Sequence, residues 1–463
     1  MRLQEIIGML KEYFFLAFAA IVVLGVVFFI GYTIINRKFL GGKGRLPKKQ
    51  LLVGGMLIGY IIMVMGVTFL SRGSHYQSRM ELSLFSSYRE AWFEFTVRQW
   101  QFLYLNILMF IPFGILLPLY RSRFKKAVWT IGAAALFTLA IECIQLITGF
   151  GIFDIDDLFN NLLGGIIGYG IVMGIINIKE KRIMKALSYF APLLLVLILS
   201  GSVFTYYHFK EFGNLAIMPV HKINMKQVET MIDIQLDDQR KTVPVYKAPS
   251  YTKKAADEFA EKFFRKMNMD TTNMEVISYP DDVIYRVSDE KFVSISFNYL
   301  DGSYSYTDFS SHDEDNEPTD VEEEILKEKL RDFDIQISQD AEFEKVNTGS
   351  YVWTVDKKVL GDQLIDGSLG ATYYKDGTVK QIDNRLITYD KVKDIEIKSE
   401  QEAYEDILKG KFQYYPESGK IETMKIHDVE LSYYLDSKGY YQPVFAFDCT
   451  INGNEFKILM PGI

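Results

Sequence analysis

Glu142, Gln145, Asp154, Asp156, Asp157 and Asn161 are the residues of this chain whose types and spacing could do chemistry. They stand in one of its most apolar stretches, ECIQLITGFGIFDIDDLFNNLLGGIIG, residues 142–168. An acidic side chain at the centre of a bilayer costs roughly 2.5–3.5 kcal/mol on insertion scales, so each polar group here requires a local reason. Three chemistries fit. Asp residues at a helix start cap free amide N–H groups for about 1 kcal/mol, which explains one or two of them and leaves Glu142 over. Several carboxylates and amides together offer oxygen to Ca²⁺ or Mg²⁺, making a divalent cation at the acidic turn a candidate. A coupled carboxylate pair, one member with a raised pKa, serves proton transfer or the recognition of a cationic ligand.

Helical spacing sets which of these residues can meet. Thr138, Glu142 and Gln145 are four and three apart and share one face of a helix. Asp157, Asn161, Gly164 and Gly168 do the same, with GGIIG supplying a small-xxx-small contact surface. If the two stripes face each other, Glu142, Asp157 and Asn161 converge near a membrane interface. A third stretch, FLYLNILMFIPFGILLPLY, carries Asn106, able to bond across to a neighbour, and Pro112, which leaves the Leu108 carbonyl without its donor. Gly114 in the same stretch admits a neighbouring helix closely.

The elements that must position these groups are membrane helices. Residues 1–206 hold 20 Lys/Arg and 10 Asp/Glu, net +10; of the chain totals of 51 and 59, residues 207–463 keep 31 and 49, net −18. The boundary near Tyr206 is therefore a change of solvent. Six apolar segments near 12–36, 51–70, 102–120, 127–147, 160–178 and 186–206 have the length that crosses a hydrocarbon core of about 30 Å. The first is too long for a cleavable signal, and its positive cluster follows the apolar core. The loops 37–50, 121–126 and 179–185 carry six, four and four Lys/Arg, while 148–159 carries three Asp and none. By the positive-inside rule the N-terminus, the acidic turn and everything beyond Tyr206 face outside.

The acidic part reads as α+β. An amphipathic helix follows Ser250, and Thr319 with Glu322 and Ser399 with Glu402 have the spacing of capping boxes opening two more. Each helix is followed by alternating aromatic-rich segments with turn signals at Asp301-Gly302, Asp376-Gly377, Ser437-Lys438-Gly439 and Asn452-Gly453. The expected fold is thus a membrane all-α helical bundle of about six transmembrane helices (1–206, core 50–178), then an extracytoplasmic α+β domain (207–463). In that domain a helix followed by about three antiparallel strands repeats three times. The run HDEDNEPTDVEEE reads as a solvated loop and helix start. Cys143 and Cys449 lie on unlike elements and frame no disulfide, and none of the five His is near Cys143 in sequence. Phosphate-loop, HExxH, GxSxG and CxxC motifs do not occur, and an acidic outer domain is not expected to bind nucleic acid.

Three blocks, LSRGSHYQSRMELSLFSSYREAW, NILMFIPFGILLPLY and IECIQLITGFGIFDIDDLFNNLLGGIIGYG, resemble in order and spacing the VanZ-like family of bacterial membrane proteins. The resemblance covers roughly residues 50–178. Its motif falls on Arg72, on Asn106, Phe110, Pro112 and Gly114, on Glu142 and Gln145, and on Asp154, Asp156, Asp157, Asn161 and Gly164. Many members carry an arginine just before the acidic turn; here Gly151-Ile152 stands there, leaving Arg72 as the local substitute. The resemblance implies a cell-envelope protein associated with resistance to teicoplanin-type lipoglycopeptides, with no settled reaction. The last unit, SEQEAYEDILKG and VELSYYLDSKGYYQPVFAFDCT, is similar to PepSY-like units of extracytoplasmic YycH/YycI-type regulators, implying a binding or regulatory domain.

Two functions stay open. In one, the bundle engages a lipid, a lipid-linked cell-wall precursor or a glycopeptide, and the outer domain meets a membrane partner protein. In the other, the bundle is an intramembrane enzyme or transporter using Glu142 and Asp157 with Arg72 and Asn106. The absence of a catalytic motif favours the first.

Overall fold

The computed structural model describes residues 48–70, 79–288, 291–312, 316–337, 340–414 and 419–463. The apolar segment expected over 12–36 and Arg72 lie outside the described residues. The chain divides into two compact units, Met1–Ala91 with Arg98–Glu211, and Trp92–Val97 with Phe212–Ile463.

In the first unit, five helices are long and apolar enough to cross a membrane. Helix α1 (Lys48–Met65) runs on into a π-helical turn, Gly66–Leu70. A short strand β1 (Met80–Glu81) and a nine-residue helix α2 (Ser86–Glu94) come next. Then follow α3 (Val97–Tyr120), α4 (Ala127–Thr148), strand β2 (Phe153–Asp154), α5 (Ile155–Lys179) and α6 (Ile183–Phe209). At 1.5 Å per residue these long helices each extend about 30 Å or more. Five spans are found among the described residues, against the six expected. Between the second and third expected spans the described residues hold β1, α2 and the start of α3.

Aromatic and aliphatic side chains fill the centre of this unit. Tyr60, Val64, Phe110, Phe113, Leu117, Ala134 and Ile141 form one buried cluster from α1, α3 and α4. Phe113 stacks on Phe137 with ring centres 5.1 Å apart. Glycine sets the spacing of α5. A Cβ at Gly164 would overlap the Ile107 carbonyl oxygen, one at Gly168 the Ile111 carbonyl oxygen, and one at Gly114 the Gly165 carbonyl oxygen. Backbone therefore rests on backbone along the α3–α5 seam. On another side of α5, a Cβ at Gly170 would overlap the Tyr189 carbonyl oxygen of α6. Of the stripe Asp157, Asn161, Gly164 and Gly168, the two glycines thus meet α3, while Asn161 meets Thr138 on the polar face of α4. Gly165 also faces α4, and a Cβ there would stand 2.8 Å from that of Ala134.

The second unit is sheet-rich. Strands β3 (Glu229–Ile232) and β4 (Thr242–Lys247) precede helix α7 (Lys253–Lys266). Four strands follow it: β5 (Glu275–Ser278), β6 (Asp282–Ser288), β7 (Phe292–Asn298) and β8 (Tyr304–Asp308). Helix α8 (Glu323–Arg331) leads into β9 (Glu342–Asn347), β10 (Ser350–Leu360), β11 (Gln363–Tyr373), β12 (Val379–Asn384) and β13 (Ile387–Glu396). Helix α9 (Glu400–Leu408) leads into β14 (Thr423–Leu435), β15 (Tyr440–Ile451) and β16 (Asn454–Pro461). The helix-then-strands repeat is present, with four, five and three strands where about three were expected in each. All of them join one 14-stranded sheet.

Two helix-covered cores lie against that sheet. Ala256, Ala260 and Phe264 of α7 and Leu326 and Leu330 of α8 pack with Tyr285, Ile295, Tyr306 and Trp353. Ala403 and Ile407 of α9 pack with Met424, Ile426, Phe445 and Phe447. The cap of α9 is the expected box: Ser399 accepts from the Glu402 N–H and the Glu402 carboxylate accepts from the Ser399 N–H. The box expected at Thr319 does not form. Helix α8 begins at Glu323 with Glu322 itself as N-cap and no side-chain cap bond, while Thr319, three residues further out, gives its N–H to the Tyr373 carbonyl of β11 at 3.0 Å. Helix α7 is capped by Thr252, two residues after the expected Ser250.

Candidate functional site

The polar residues of the first unit gather where α4, the turn after it and α5 meet α2 and α3. Helix α4 stops because Gly149 adopts a left-handed φ of 69° and returns its N–H to the Gln145 carbonyl at 2.9 Å. Four residues on, Phe153–Asp154 pairs in parallel with Met80–Glu81, fixing the height at which α5 begins. Asp154 is the N-cap of α5 and accepts from the Asp156 N–H at 2.8 Å. Its own N–H donates to Glu142 Oε2 at 3.0 Å. Capping thus includes Glu142, which holds the backbone of the turn from below, so the residue that capping had left over has a positional role.

Asp156 is fully buried and anchors a different element. Its two oxygens accept from the Phe85 N–H at 2.6 Å and the Ser87 N–H at 2.8 Å, with Ser86 Oγ at 3.3 Å. Phe85 has φ of 66°, a left-handed conformation that turns these N–H groups toward one carboxylate. The first turn of α2 is therefore tied to the first turn of α5. Ser87 Oγ also reaches Asp154 Oδ2 at 3.3 Å, and Tyr88 donates its hydroxyl to Asn160 Oδ1. Burial, reinforced by the charge of Asp156, holds the Asp154 carboxyl above its ordinary pKa, against the opposing pull of the Asp156 N–H and Ser87.

Farther along α5 the partners change helix. Asp157 accepts from the Asn106 side-chain amide of α3. Asn161 donates to Thr138 Oγ1 of α4 at 3.0 Å. Gln145, Asn160 and Asn161 are all buried, yet Gln145 Oε1, Asn160 Nδ2 and Asn161 Oδ1 have no hydrogen-bond partner. Near Pro112, Tyr60 donates to the Met109 carbonyl at 2.6 Å, one residue from the carbonyl that the proline was expected to free. Among the described residues no group of three or more His, Cys, Asp or Glu is placed to hold a metal ion.

The structure therefore brings Glu142, Asp154, Asp156 and Ser86–Ser87 into one bonded set. Asn106 with Asp157 and Thr138 with Asn161 lie immediately along α5. Ser86, Ser87, Tyr88 and Asn160 escaped the sequence reading. Their signal was present in SLFSSYREAW, where two serines precede an amphipathic turn, and in the doubled asparagine after DIDDLF.

Apolar helices of this length around a polar hairpin define a multi-pass membrane protein bearing a sheet-rich C-terminal domain. Residues 57–177, the part that builds the hairpin, match the VanZ/LLP1 family model. Protein VanZ of Enterococcus faecium is 34% identical over 99 residues, which are 20% of this chain and 58% of that protein. Among solved structures, an uncharacterized protein from Eubacterium rectale ATCC 33656 aligns with 51% of this chain and 87% of its own, at 14% identity and a TM-score of 0.27. The Bacillus megaterium YpeB C-terminal domain aligns with 46% of this chain and 94% of its own, at 10% identity and a TM-score of 0.20. At those scores neither bears on fold or function.

Proposed function

We propose that this chain is a VanZ-like envelope protein whose membrane unit binds a cell-surface species and whose C-terminal unit serves binding or regulation. The observation that carries the reading is the buried, bonded hairpin of Glu142, Asp154, Asp156 and Asn161. It falls inside the segment matched by the VanZ/LLP1 model. Described carboxylates here accept from backbone N–H and amide groups, an arrangement suited to fixed recognition more than to cycling protons. By the positive-inside rule, this reading has the basic loops 121–126 and 179–185 facing the cytoplasm and the acidic turn and the C-terminal unit facing away from it. Teicoplanin-type lipoglycopeptide resistance is the phenotype this reading assigns, through a lipid-linked cell-wall precursor or the glycopeptide itself.

The test is to compare lipoglycopeptide susceptibility of cells carrying wild type, Glu142→Gln and Asp157→Asn after confirming equal membrane insertion. Loss of protection in both variants supports the reading; protection equal to wild type in both reduces the cluster to packing. Removing residues 215–463 asks in parallel whether the C-terminal unit contributes.

A further inference from the structure

Lys48, Lys49 and the two basic loops, 121–126 and 179–185, stand at one end of the membrane unit. Gly164 meets Ile107 and Gly168 meets Ile111, so α3 and α5 run parallel and finish at the same end. A Cβ at Gly54 would stand 3.2 Å from the ring of Tyr120, which brings the start of α1 to the finish of α3. Together these stretches carry ten Lys/Arg and one acid, Glu180, bonded to Arg182 at 3.0 Å. Orientation in a membrane asks for such charge and nothing more. The loop 121–126 is built more closely than that. Ser122–Lys125 is a 3₁₀ turn. The buried Thr130 donates its hydroxyl to the Phe124 carbonyl at 2.6 Å, and Tyr169 of α5 donates to the Lys125 carbonyl at 2.8 Å. On the turn so pinned, the exposed Arg123 guanidinium lies over the ring of Trp129, 3.4 Å from its centre. Arg121 leans on Tyr120 at 5.6 Å. No Asp or Glu occurs between Glu94 and Glu142. Among the described residues, no carboxylate forms an ion pair with any of the four cations of this loop.

We propose that the loop 121–126 binds the phosphate of an anionic phospholipid headgroup, with the Arg123 guanidinium as its fixed contact. The site is at the opposite end of the helices from the acidic hairpin and does not rest on the function proposed above. Stacking occupies the face of a guanidinium and leaves its in-plane N–H groups, a planar fork that matches two phosphate oxygens. Trp129 and the two pinned carbonyls hold that fork before any ligand arrives, which lowers the entropy lost on binding. Lys125 and Lys126, in the same loop, supply charge that one phosphate diester does not neutralise. The ring under Arg123 settles the source of the phosphate. Trp129 is the third residue of α4, at the end of a membrane span, where aromatic side chains sit at the level of lipid headgroups. A phosphate at that level is one that a lipid presents.

The full-length protein, purified in detergent and stripped of lipid, tests this in two arms. In one, native mass spectrometry compares retention of phosphatidylglycerol and phosphatidylcholine with matched acyl chains. In the other, thermal unfolding is followed with short-chain phosphatidylglycerol and with inorganic phosphate at equal concentration. Wild type should retain phosphatidylglycerol about tenfold over phosphatidylcholine, the equivalent of one charge-assisted hydrogen bond, and should be stabilised by the lipid alone. Arg123→Lys keeps the charge and removes the planar fork, and Trp129→Leu removes the surface that orients it. Both side chains are exposed, so neither change disturbs the core. Each should erase most of the preference, whereas Lys185→Gln, which removes one charge from the other loop, should leave it within about twofold. Equal retention of the two lipids by wild type overturns the proposal without reference to any variant. So does an Arg123→Lys protein that behaves as wild type, or a Lys185→Gln protein that loses as much as Arg123→Lys, since either reduces the site to diffuse charge. Stabilisation by inorganic phosphate equal to that by the lipid overturns the lipid as the occupant.

Discussion

Asp156→Asn should unfasten α2 while leaving the rest of the membrane unit in place. The carboxylate is fully buried and takes two backbone N–H groups at 2.6 and 2.8 Å, with the Ser86 hydroxyl at 3.3 Å. Bonds to a charged acceptor are worth about 1.5–3 kcal/mol each. Asparagine keeps one acceptor and turns the other into a donor facing an N–H, so one bond is lost and one buried N–H is orphaned, for about 3–4 kcal/mol. Removing a buried charge returns part of that. A net cost of about 2 kcal/mol is about a 30-fold rise in the opening equilibrium. Amide hydrogen exchange of the protein in nanodiscs, read in peptides spanning 83–90, should therefore accelerate about 30-fold, with peptides from β14 and β15 as an unchanged reference. If exchange at Phe85 and Ser87 stays within about threefold of wild type in a folded variant, Asp156 does not hold α2 and the account of the hairpin fails.

Three further outcomes follow from other parts of the molecule. Gly164→Ala forces α3 and α5 apart against the Ile107 carbonyl and should cost about 1–3 kcal/mol in a denaturation series, whereas Gly201→Ala, with open space around it, should be neutral. Burial alone would raise the Asp376 carboxyl, yet the bond from the buried Lys380 ammonium and those from Thr378 hold it at about 2. Its contribution is then present above about pH 4 and lost as pH falls through about 2, so Asp376→Asn should flatten the acid limb of near-ultraviolet circular dichroism between those values. Burial, with the neighbouring charge of Asp448, pushes the Cys449 thiol up to about 12. In a Cys143→Ala background, iodoacetamide at pH 8 should therefore label Cys449 only after denaturation.

What the sequence revealed of this protein follows the range of the physics involved. Long apolar segments and the helical spacing of Thr138, Glu142 and Gln145 are local properties, and the structure places all three inside the membrane unit. The capping box at Ser399 needs only four residues and formed. The box at Thr319 met a competitor, because the Thr319 N–H pairs with the Tyr373 carbonyl of a strand more than fifty residues on, and the helix starts only at Glu323. The site was half legible for the same reason. Asp154 as a cap is local, whereas Asp156 binding Phe85 and Ser87 joins residues about seventy apart. Such a pairing becomes visible once β1 and β2 are known to lie side by side. The glycine stripe was evident, but which neighbour it meets depends on the rotation of α5, and spacing alone does not set that.

The seam of α5 makes the membrane unit mechanically lopsided. Toward α3 and α6 the glycines Gly164, Gly168 and Gly170 sit closest to carbonyl oxygens, so at those three points α5 brings no side chain of its own to rotate or shorten. Toward α4 it is held by amides, a hydroxyl and a carboxylate, groups that can exchange partners without moving the backbone far. α5 therefore has stiff walls and a compliant one. A change of partners along that wall would be borne by α4, the helix whose other end adjoins the basic turn at Arg121–Lys126.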